Sequence, residues 1–196
     1  MTEPKYVTCQ SAIRVGHKAS QSKYVLSSIA DQNYGSGSKQ QVTTFSPKKT
    51  DNGSLWIVRE ANDTPQCEAG TPIKCNSMIR LTHNMSQRNL HSHHIRAALS
   101  GKQEVSCYGN DGEGDGGDDW KVLCVDHSGY WQRGKNIKLQ HMATNSFLQL
   151  HTSAEFTERN CGRNCPIMNH LEAFARESVD TNSILTVIDS GIFISH

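Results

Sequence analysis

Ile79-Arg80-Leu81-Thr82-His83 decides the fold, because its pattern returns twice in this chain of 196 residues, as Ile13-Arg14-Val15-Gly16-His17 and Ile137-Lys138-Leu139-Gln140-His141. Each copy places apolar residues at alternate positions and ends in histidine, which predicts a β-strand with one buried face and one exposed face. The copies begin 66 and then 58 residues apart, and 60 residues run from Ile137 to the end. The chain is therefore predicted to contain three similar, strand-rich units.

Turn-forming residues separate short alternating segments along the whole chain, a pattern typical of all-β proteins. Four strands are predicted in each unit, at 13–17, 24–27, 41–45 and 56–58, then 79–83, 89–92, 104–108 and 120–123, and finally 137–141, 147–150, 172–174 and 185–187. One short helical turn could fall within 168–176. Three units of four strands predict a β-trefoil, in which a closed six-stranded barrel is capped by three hairpins.

The trefoil is expected to be a single domain covering residues 1–196, with units at approximately 6–66, 67–128 and 129–194. Units of this size cannot close a core alone, so they must share one. The shared core is predicted to hold the inward residues of the strands and the anchors Trp56, Trp120 and, in the third unit, Leu185. The predicted inward residues are Ile13, Val15, Ile79, Leu81, Leu90, Val122, Ile137, Leu139, Leu148 and Val187.

Composition and motifs exclude several classes of function. A net charge of +1 does not favour nucleic-acid binding, and no apolar run approaches the roughly 20 residues that a bilayer requires. Met1-Thr2-Glu3-Pro4-Lys5 has no apolar stretch, so no signal peptide is expected in this segment. Neither a Gly-x-Ser-x-Gly motif nor a catalytic cysteine signature is present, which predicts a non-enzymatic protein without catalytic residues or cofactor.

Three strings in the second unit resemble the MIR repeat of protein mannosyltransferases and of the inositol trisphosphate and ryanodine receptors. They are Leu90-His91-Ser92-His93-His94, Leu99-Ser100-Gly101-Lys102-Gln103-Glu104-Val105-Ser106 and Asp118-Asp119-Trp120. Two further pairs of strings narrow the resemblance to the stromal cell-derived factor 2 family: Tyr34-Gly35-Ser36-Gly37-Ser38 with Gln40-Gln41-Val42-Thr43, and Gly112-Glu113-Gly114-Asp115 with Asp118-Asp119-Trp120. The resemblance runs from about residue 6 to residue 194.

The first and third units depart from the family pattern. Leu26-Ser27-Ser28 and Gln149-Leu150-His151 stand where the family shows Leu-His-Ser-His, and Leu185 replaces the third Trp. Cys161-Gly162-Arg163-Asn164-Cys165 occupies the place of a Gly-rich loop.

The resemblance implies an adaptor in the lumen of the endoplasmic reticulum or elsewhere in the secretory pathway. Its partners would be a DnaJ-type co-chaperone and the lumenal Hsp70, and its clients would be unfolded or O-mannosylated proteins in quality control. The alternative is a lectin-like trefoil that binds glycans. Lectin trefoils usually carry Gln-x-Trp in each repeat, which this chain lacks, and Trp131 is the one Trp predicted to be exposed for stacking on a sugar.

The predicted partner-binding surface lies on the second unit, which departs least from the family. It consists of His91, His93, His94, Lys102, Asp111, Glu113, Asp115, Asp118 and Asp119. A calcium loop is an alternative for the acidic members, but their spacing does not fit an EF-hand, so a solvated turn ending in a capping Asp is favoured.

Metal binding is disfavoured at both clusters of potential ligands. On a strand, His91 and His93 share a face while His94 points away, so at most two ligands would converge, even with His83 nearby. Cys161 and Cys165 could bind a metal with His151 or His170, but a local disulfide or two thiols is favoured.

Seven cysteines leave at least one without an intramolecular partner. Some pairing is expected in an oxidising compartment, and Cys67 with Cys75, which bracket a Gly-Thr-Pro turn, is the first pair predicted.

Overall fold

The computed structural model describes residues 5–188 and the backbone of 192–193. The first unit contains β1 (Ser11–Ile13), β2 (Val15–His17), β3 (Val25–Asn33), β4 (Gln41–Ser46) and β5 (Trp56–Glu60). The second contains β6 (Met78–His83), β7 (Asn89–Arg96), β8 (Gln103–Tyr108) and β9 (Trp120–Cys124). The third contains β10 (Ile137–His141), β11 (Phe147–Gln149), β12 (Leu171–Glu172), β13 (Phe174–Arg176), β14 (Leu185–Val187) and β15 (Ile192–Phe193).

Helix is confined to single turns in this part of the chain. The α-helix α1 (Glu158–Cys161) has four residues, and 3-10 turns occupy Lys18–Ser20, Asn52–Ser54, Gly116–Asp118 and Thr181–Ser183. The helical turn expected within 168–176 is wrong, because strand pairing through β12 and β13 takes up that segment. Among the described residues, no helix has the length and apolar character needed to cross a membrane.

The first and fourth strands of the three units close into a barrel. Going round it, β1 pairs with β5, β5 with β6, β6 with β9, β9 with β10, β10 with β14, and β14 with β2, all antiparallel. Because β1 and β2 together form one interrupted strand, the described ring has six strands. The predicted β-trefoil is therefore confirmed.

Three hairpins cap one end of the barrel. They are formed by β3 with β4, β7 with β8, and β11 with β13, and they contact one another through β4–β8, β8–β13 and β12–β4 pairing. Each hairpin therefore meets both of the others, so every unit helps to hold its neighbours.

The base of the barrel is closed by the segments that precede each unit's first strand. Their backbones form a ring of three hydrogen bonds, in which the Val7 N–H donates to the Trp131 carbonyl (3.0 Å), Trp131 to Ile73 (2.8 Å) and Ile73 to Val7 (3.0 Å). The side chains of Val7 and Trp131 are fully buried and that of Ile73 nearly so. The predicted exposure of Trp131 is wrong, because its side chain is buried in the base of the barrel and cannot stack on a sugar.

The core prediction is confirmed by burial. Trp56, Trp120 and Leu185 are fully buried, as are the predicted inward residues to within 1% exposure. The indoles of Trp56 and Trp120 donate to the carbonyls of Leu26 and Leu90 at 2.9 and 3.0 Å, which satisfies their buried N–H groups.

The predicted Cys67–Cys75 disulfide is wrong. The disulfides are Cys9–Cys67, Cys75–Cys124 and Cys161–Cys165, and Cys107 is a buried thiol. The base segments explain the pairing, since Cys9 exchanges backbone hydrogen bonds with the 70–71 turn and so lies beside Cys67. Cys161 and Cys165 form a local disulfide, one of the two arrangements predicted in preference to a metal site.

Truncation after Cys124 tests the shared core. Removing the third unit deletes Trp131 from the base ring and takes one pairing partner from each of β9, β2 and β8, namely β10, β14 and β13. We expect an unfolded or aggregated product by circular dichroism and gel filtration. A stable two-unit fragment would contradict a closed trefoil.

Removing a disulfide should destabilise the protein more when that disulfide closes a longer loop, because the loss of stability increases with the logarithm of the number of residues in the loop. Chain entropy predicts a loss of about 4 kcal/mol for Cys9→Ala with Cys67→Ala, whose partners are 58 residues apart. The control pair Cys161→Ala with Cys165→Ala, 4 residues apart, should lose only about 2 kcal/mol. Urea unfolding measures both, and equal losses would show that loop length is not the main determinant.

Candidate partner-binding face of the second unit

Two of the three histidines that end the repeated pentapeptides, His83 and His141, have a structural role. His83 Nε2 and His141 Nε2 lie 3.0 and 2.8 Å from the carbonyls of Gly53 and Gly117. A carbonyl only accepts, so each Nε2 carries the proton and each Nδ1 accepts, from Ser86 and Thr144 respectively. Both rings are buried and pack against the Trp of the preceding fourth strand. These neutral imidazoles therefore clamp one unit to the next.

Each clamped carbonyl belongs to a 3-10 turn that begins with an aspartate. Asp51, Asp115 and Asp180 each accept a hydrogen bond from the backbone N–H two residues later, at 2.8 Å. The sequence carries a signal for these caps, because an aspartate stands five positions before Trp56, Trp120 and Leu185 alike. None of the predictions above used this signal.

The second unit has a buried His–Asp hydrogen bond that is absent from the equivalent described positions of the other two units. Asp118 is fully buried, and its Oδ1 lies 2.8 Å from His91 Nδ1. Its Oδ2 accepts from the Asn89 amide (3.1 Å) and the Asp115 backbone N–H (2.9 Å). Ser54 and Ser183 end the equivalent turns. His91 and Asp118 therefore hold the loop at residues 109–117 from inside and cannot contact a partner, which corrects their predicted surface placement.

Glycines let this pair approach the loop backbone. A Cβ atom on Gly114 would lie 1.7 Å from Asp118 Oδ2, and one on Gly117 would lie 2.3 Å from His91 Cε1. Gly114 and Gly117 are therefore a packing requirement of the buried pair.

Two buried carboxylates, those of Glu104 and Glu172, join neighbouring hairpins. Glu104 accepts from His93 Nε2 at 2.9 Å and from the hydroxyl of Ser38 in the first unit's turn. Glu172, at the same register position in the third unit, accepts from the backbone N–H groups of Leu99 and Ser100 at 2.6 and 2.9 Å. His93 is thus half-buried and structural, and the turn that bears Lys102 is held in place from the third unit.

The remaining predicted site residues lie at two ends of one hairpin. Asp111, Glu113 and Asp115 are exposed near the Asn89 end of β7, while His94 and Lys102 are exposed toward the Arg96 end. Register pairs Asn89 with Tyr108 and Arg96 with Gln103, so about 20 Å of strand separates the two groups. The predicted surface is therefore two sites, which we call the acidic loop (residues 109–117) and the hairpin tip (94–102).

The acidic loop is rigidly supported. The Arg80 guanidinium donates to the Gly112 carbonyl at 2.6 Å and pairs with Glu60 at 3.3 Å. Asp119, which follows the loop, accepts from the Asn62 backbone N–H at 2.7 Å, and partial burial raises its pKa. Three exposed carboxylates are consequently presented on a preformed scaffold.

Two clusters of potential metal ligands lie in the described chain, and the first, Cys9 with Glu60 and Cys67, has both of its cysteines in a disulfide. The second cluster lies on the second unit. Ligand atoms of His91, Asp115 and Asp118 lie within 4.8 Å of one another. Both oxygens of Asp118 already accept hydrogen bonds from three donors, and Asp115 Oδ1 accepts from Gly117. The arrangement fits a hydrogen-bonded turn better than a metal centre.

The class of the protein follows from the fold together with a family match. The MIR domain model matches residues 5–129, which carry both the His91–Asp118 pair and the hairpin tip. Human stromal cell-derived factor 2 is 48% identical over 120 residues, covering 61% of this chain and 56% of that protein. Human stromal cell-derived factor 2-like protein 1 is 36% identical over 164 residues, covering 84% of this chain and 69% of that protein.

The chain belongs to the stromal cell-derived factor 2 family of MIR-domain proteins. The crystal structure of the SDF2-like protein from Arabidopsis thaliana is 30% identical, with a TM-score of 0.85 and coverage of 96% of this chain and 97% of that one. An S. cerevisiae protein O-mannosyltransferase complex bound to the sugar donor has a TM-score of 0.79 at 22% identity, covering 98% of this chain and 28% of that one. This last likeness concerns the fold alone.

The histidine clamps should make stability depend on pH. Burial lowers the pKa of His141 from 6.5 to about 4 and also lowers that of His83. The unfolded state therefore binds the proton at a higher pH than the folded state does. The stabilisation contributed by the neutral histidines is fully present above pH 6.5 and is lost as the pH falls toward 4. For His141 the loss is about 3 kcal/mol.

Substituting the clamp should flatten this dependence. His141→Gln is expected to lower the unfolding free energy at pH 7 but to reduce its fall between pH 7 and pH 4, measured by urea unfolding. His127→Gln, which changes an exposed histidine, is the control and should keep the wild-type slope. Identical slopes for both variants would exclude His141 as the titrating group.

Proposed function

We propose that the protein is a non-enzymatic adaptor of the endoplasmic reticulum that associates with a DnaJ-type co-chaperone and the lumenal Hsp70. Its clients would be unfolded or O-mannosylated proteins under quality control. The observation that carries the proposal is that His91, Asp118, Glu104 and Glu172 all have structural partners, whereas three exposed carboxylates cluster on one preformed loop.

The disulfides support a secretory compartment. Six of the seven cysteines pair in the described fold, and such bonds form and persist where the environment is oxidising. The family to which the chain belongs agrees with this placement.

The acidic loop is the face that we assign to the co-chaperone. Its carboxylates at Asp111, Glu113 and Asp115 are exposed, while Asp118 and Arg80 hold the loop backbone from below. A preformed loop loses little conformational entropy on binding, which favours affinity. The partner segment should be basic, and its association should weaken with salt because exposed charges are screened.

Glycan binding is the second candidate, supported by one surface feature. Tyr108 is 38% exposed, and its ring lies 4.8 Å from that of His91. With Arg88, Asn110 and Glu113 it lines an open cavity of about 410 Å³ beside the acidic loop. An aromatic face with amide and carboxylate neighbours could hold a sugar, although the Trp131 platform expected of a lectin is buried.

A pull-down from secretory-pathway lysate tests the adaptor function. The variant Asp111→Asn with Glu113→Gln removes two exposed charges. We expect it to recover about tenfold less of the DnaJ-type co-chaperone, because each exposed ion pair with the partner contributes up to about 1 kcal/mol. Asp115, Asp118 and Asp119 are kept because they accept structural hydrogen bonds.

Asp31→Asn is the matched control. Asp31 and Asp111 are both exposed and both have positive φ, at 64° and 50°, a conformation that asparagine also tolerates. Equal recovery of the co-chaperone by both variants would show that it does not bind the acidic loop. A glycan array on wild type and Tyr108→Ala runs in parallel, and glycan binding without a protein partner would favour the lectin.

A further inference from the structure

Two adjoining cavities lie at the hairpin tip, at the junction between the second and third units. Their volumes are about 310 and 320 Å³, and Lys102 and Arg176 line both of them. The two cavities therefore adjoin at these side chains, and together we call them the tip groove. It lies at the other end of the β7–β8 hairpin from the acidic loop.

The tip groove is basic. His94 and Arg96 line its first half and His151 its second, and Glu177 is the one acidic side chain among the described lining residues. Asp180 pairs with Arg176. Neither Arg96 nor Lys102 has a carboxylate within ion-pair distance in the described chain, so both remain available to an anion.

The second half of the groove has an apolar floor. It is formed by Leu150 and Phe174, which are buried, and by Leu99, which is half-buried. The position of Leu99 is fixed because Glu172 accepts its backbone N–H. This floor suits an aliphatic or aromatic side chain, and the rim above it suits carboxylates.

The corresponding positions in the first unit have no charge. Asn33 and Gln40 take the places of Arg96 and Lys102 in the hairpin register. A cavity of about 320 Å³ lies beside Asn33, against residues 156–167 of the third unit, and is lined by uncharged residues. The basic groove is thus a property of one junction, and the threefold scaffold does not require it.

We propose that the tip groove binds an extended, acidic segment of a partner or client protein, with carboxylates on Arg96 and Lys102 and an apolar side chain on the Leu99–Phe174 floor. The proposal rests on the adaptor function in that the ligand is a protein chain. An apolar floor beneath a cationic rim favours such a segment over a sulfated glycan, which would leave the floor uncovered. The two ends of the hairpin would then bind partners of opposite charge.

Fluorescence polarisation with purified full-length protein tests the groove directly. The probe is a short labelled peptide of Glu, Leu and Ser, compared with the same peptide carrying Gln in place of Glu. We expect the acidic peptide to bind at least tenfold more tightly, and its affinity to fall severalfold as ionic strength rises from about 0.05 to 0.3 M. Equal affinity for the two peptides would overturn the proposal.

Charge reversal locates the site. Arg96→Glu with Lys102→Glu should weaken binding at least tenfold, whereas Lys39→Glu, in the corresponding turn of the first unit, should leave it unchanged. Leu99→Ser should weaken binding severalfold through the floor. Thermal unfolding checks that every variant is folded, and loss of affinity in Lys39→Glu equal to that of the double variant would overturn the assignment.

The two proposals fail separately. The variant Asp111→Asn with Glu113→Gln should bind the acidic peptide with full affinity. If it loses the co-chaperone and still binds the peptide, the groove proposal is supported independently of the adaptor proposal. If the wild-type protein recovers the co-chaperone but does not bind the acidic peptide, the groove proposal is overturned and the adaptor proposal is not. Binding of a heparin-derived oligosaccharide with no binding of the peptide would also overturn the proposal, in favour of an anionic glycan.

Discussion

Three backbone hydrogen bonds joining Val7, Ile73 and Trp131 in a closed ring are the constraint on which the rest of the structure depends. Each unit contributes one donor and one acceptor, and all three side chains fill the base of the barrel. Removing a unit would leave a buried donor and a buried acceptor unpaired, at about 1–3 kcal/mol each. The three units therefore stabilise one another, and the barrel closes as a whole.

At the opposite end, the three hairpins share a backbone arrangement but differ in side-chain chemistry. Glu104 and Glu172 accept hydrogen bonds from the turns of the first and second units. Val42 takes the same register position in the first unit and packs with Phe156 and Ile167 from the third. A carboxylate thus stabilises two junctions and apolar packing the other. This asymmetry lets a threefold scaffold carry one acidic loop and one basic groove.

Local patterns in the chain predicted much of the fold for a physical reason. Alternation of apolar residues reports which face of a strand is buried, and it placed the core around Trp56, Trp120 and Leu185 correctly. The same reasoning failed for Trp131, which lies outside any alternating run. Its signal is a different one, since Val7, Ile73 and Trp131 each precede the isoleucine of a repeated strand by six positions.

The sequence by itself determined the class of the fold, the order of the strands, the core and the family, because each depends on short-range periodicity or on strings of adjacent residues. Only the tertiary structure decided which cysteines pair, that His91 and Asp118 lie inside, and that Lys102 lies far from the acidic loop. Those facts depend on which segments meet when the barrel closes. Contacts between residues distant in the chain leave no local pattern, so they had to be read from the folded molecule.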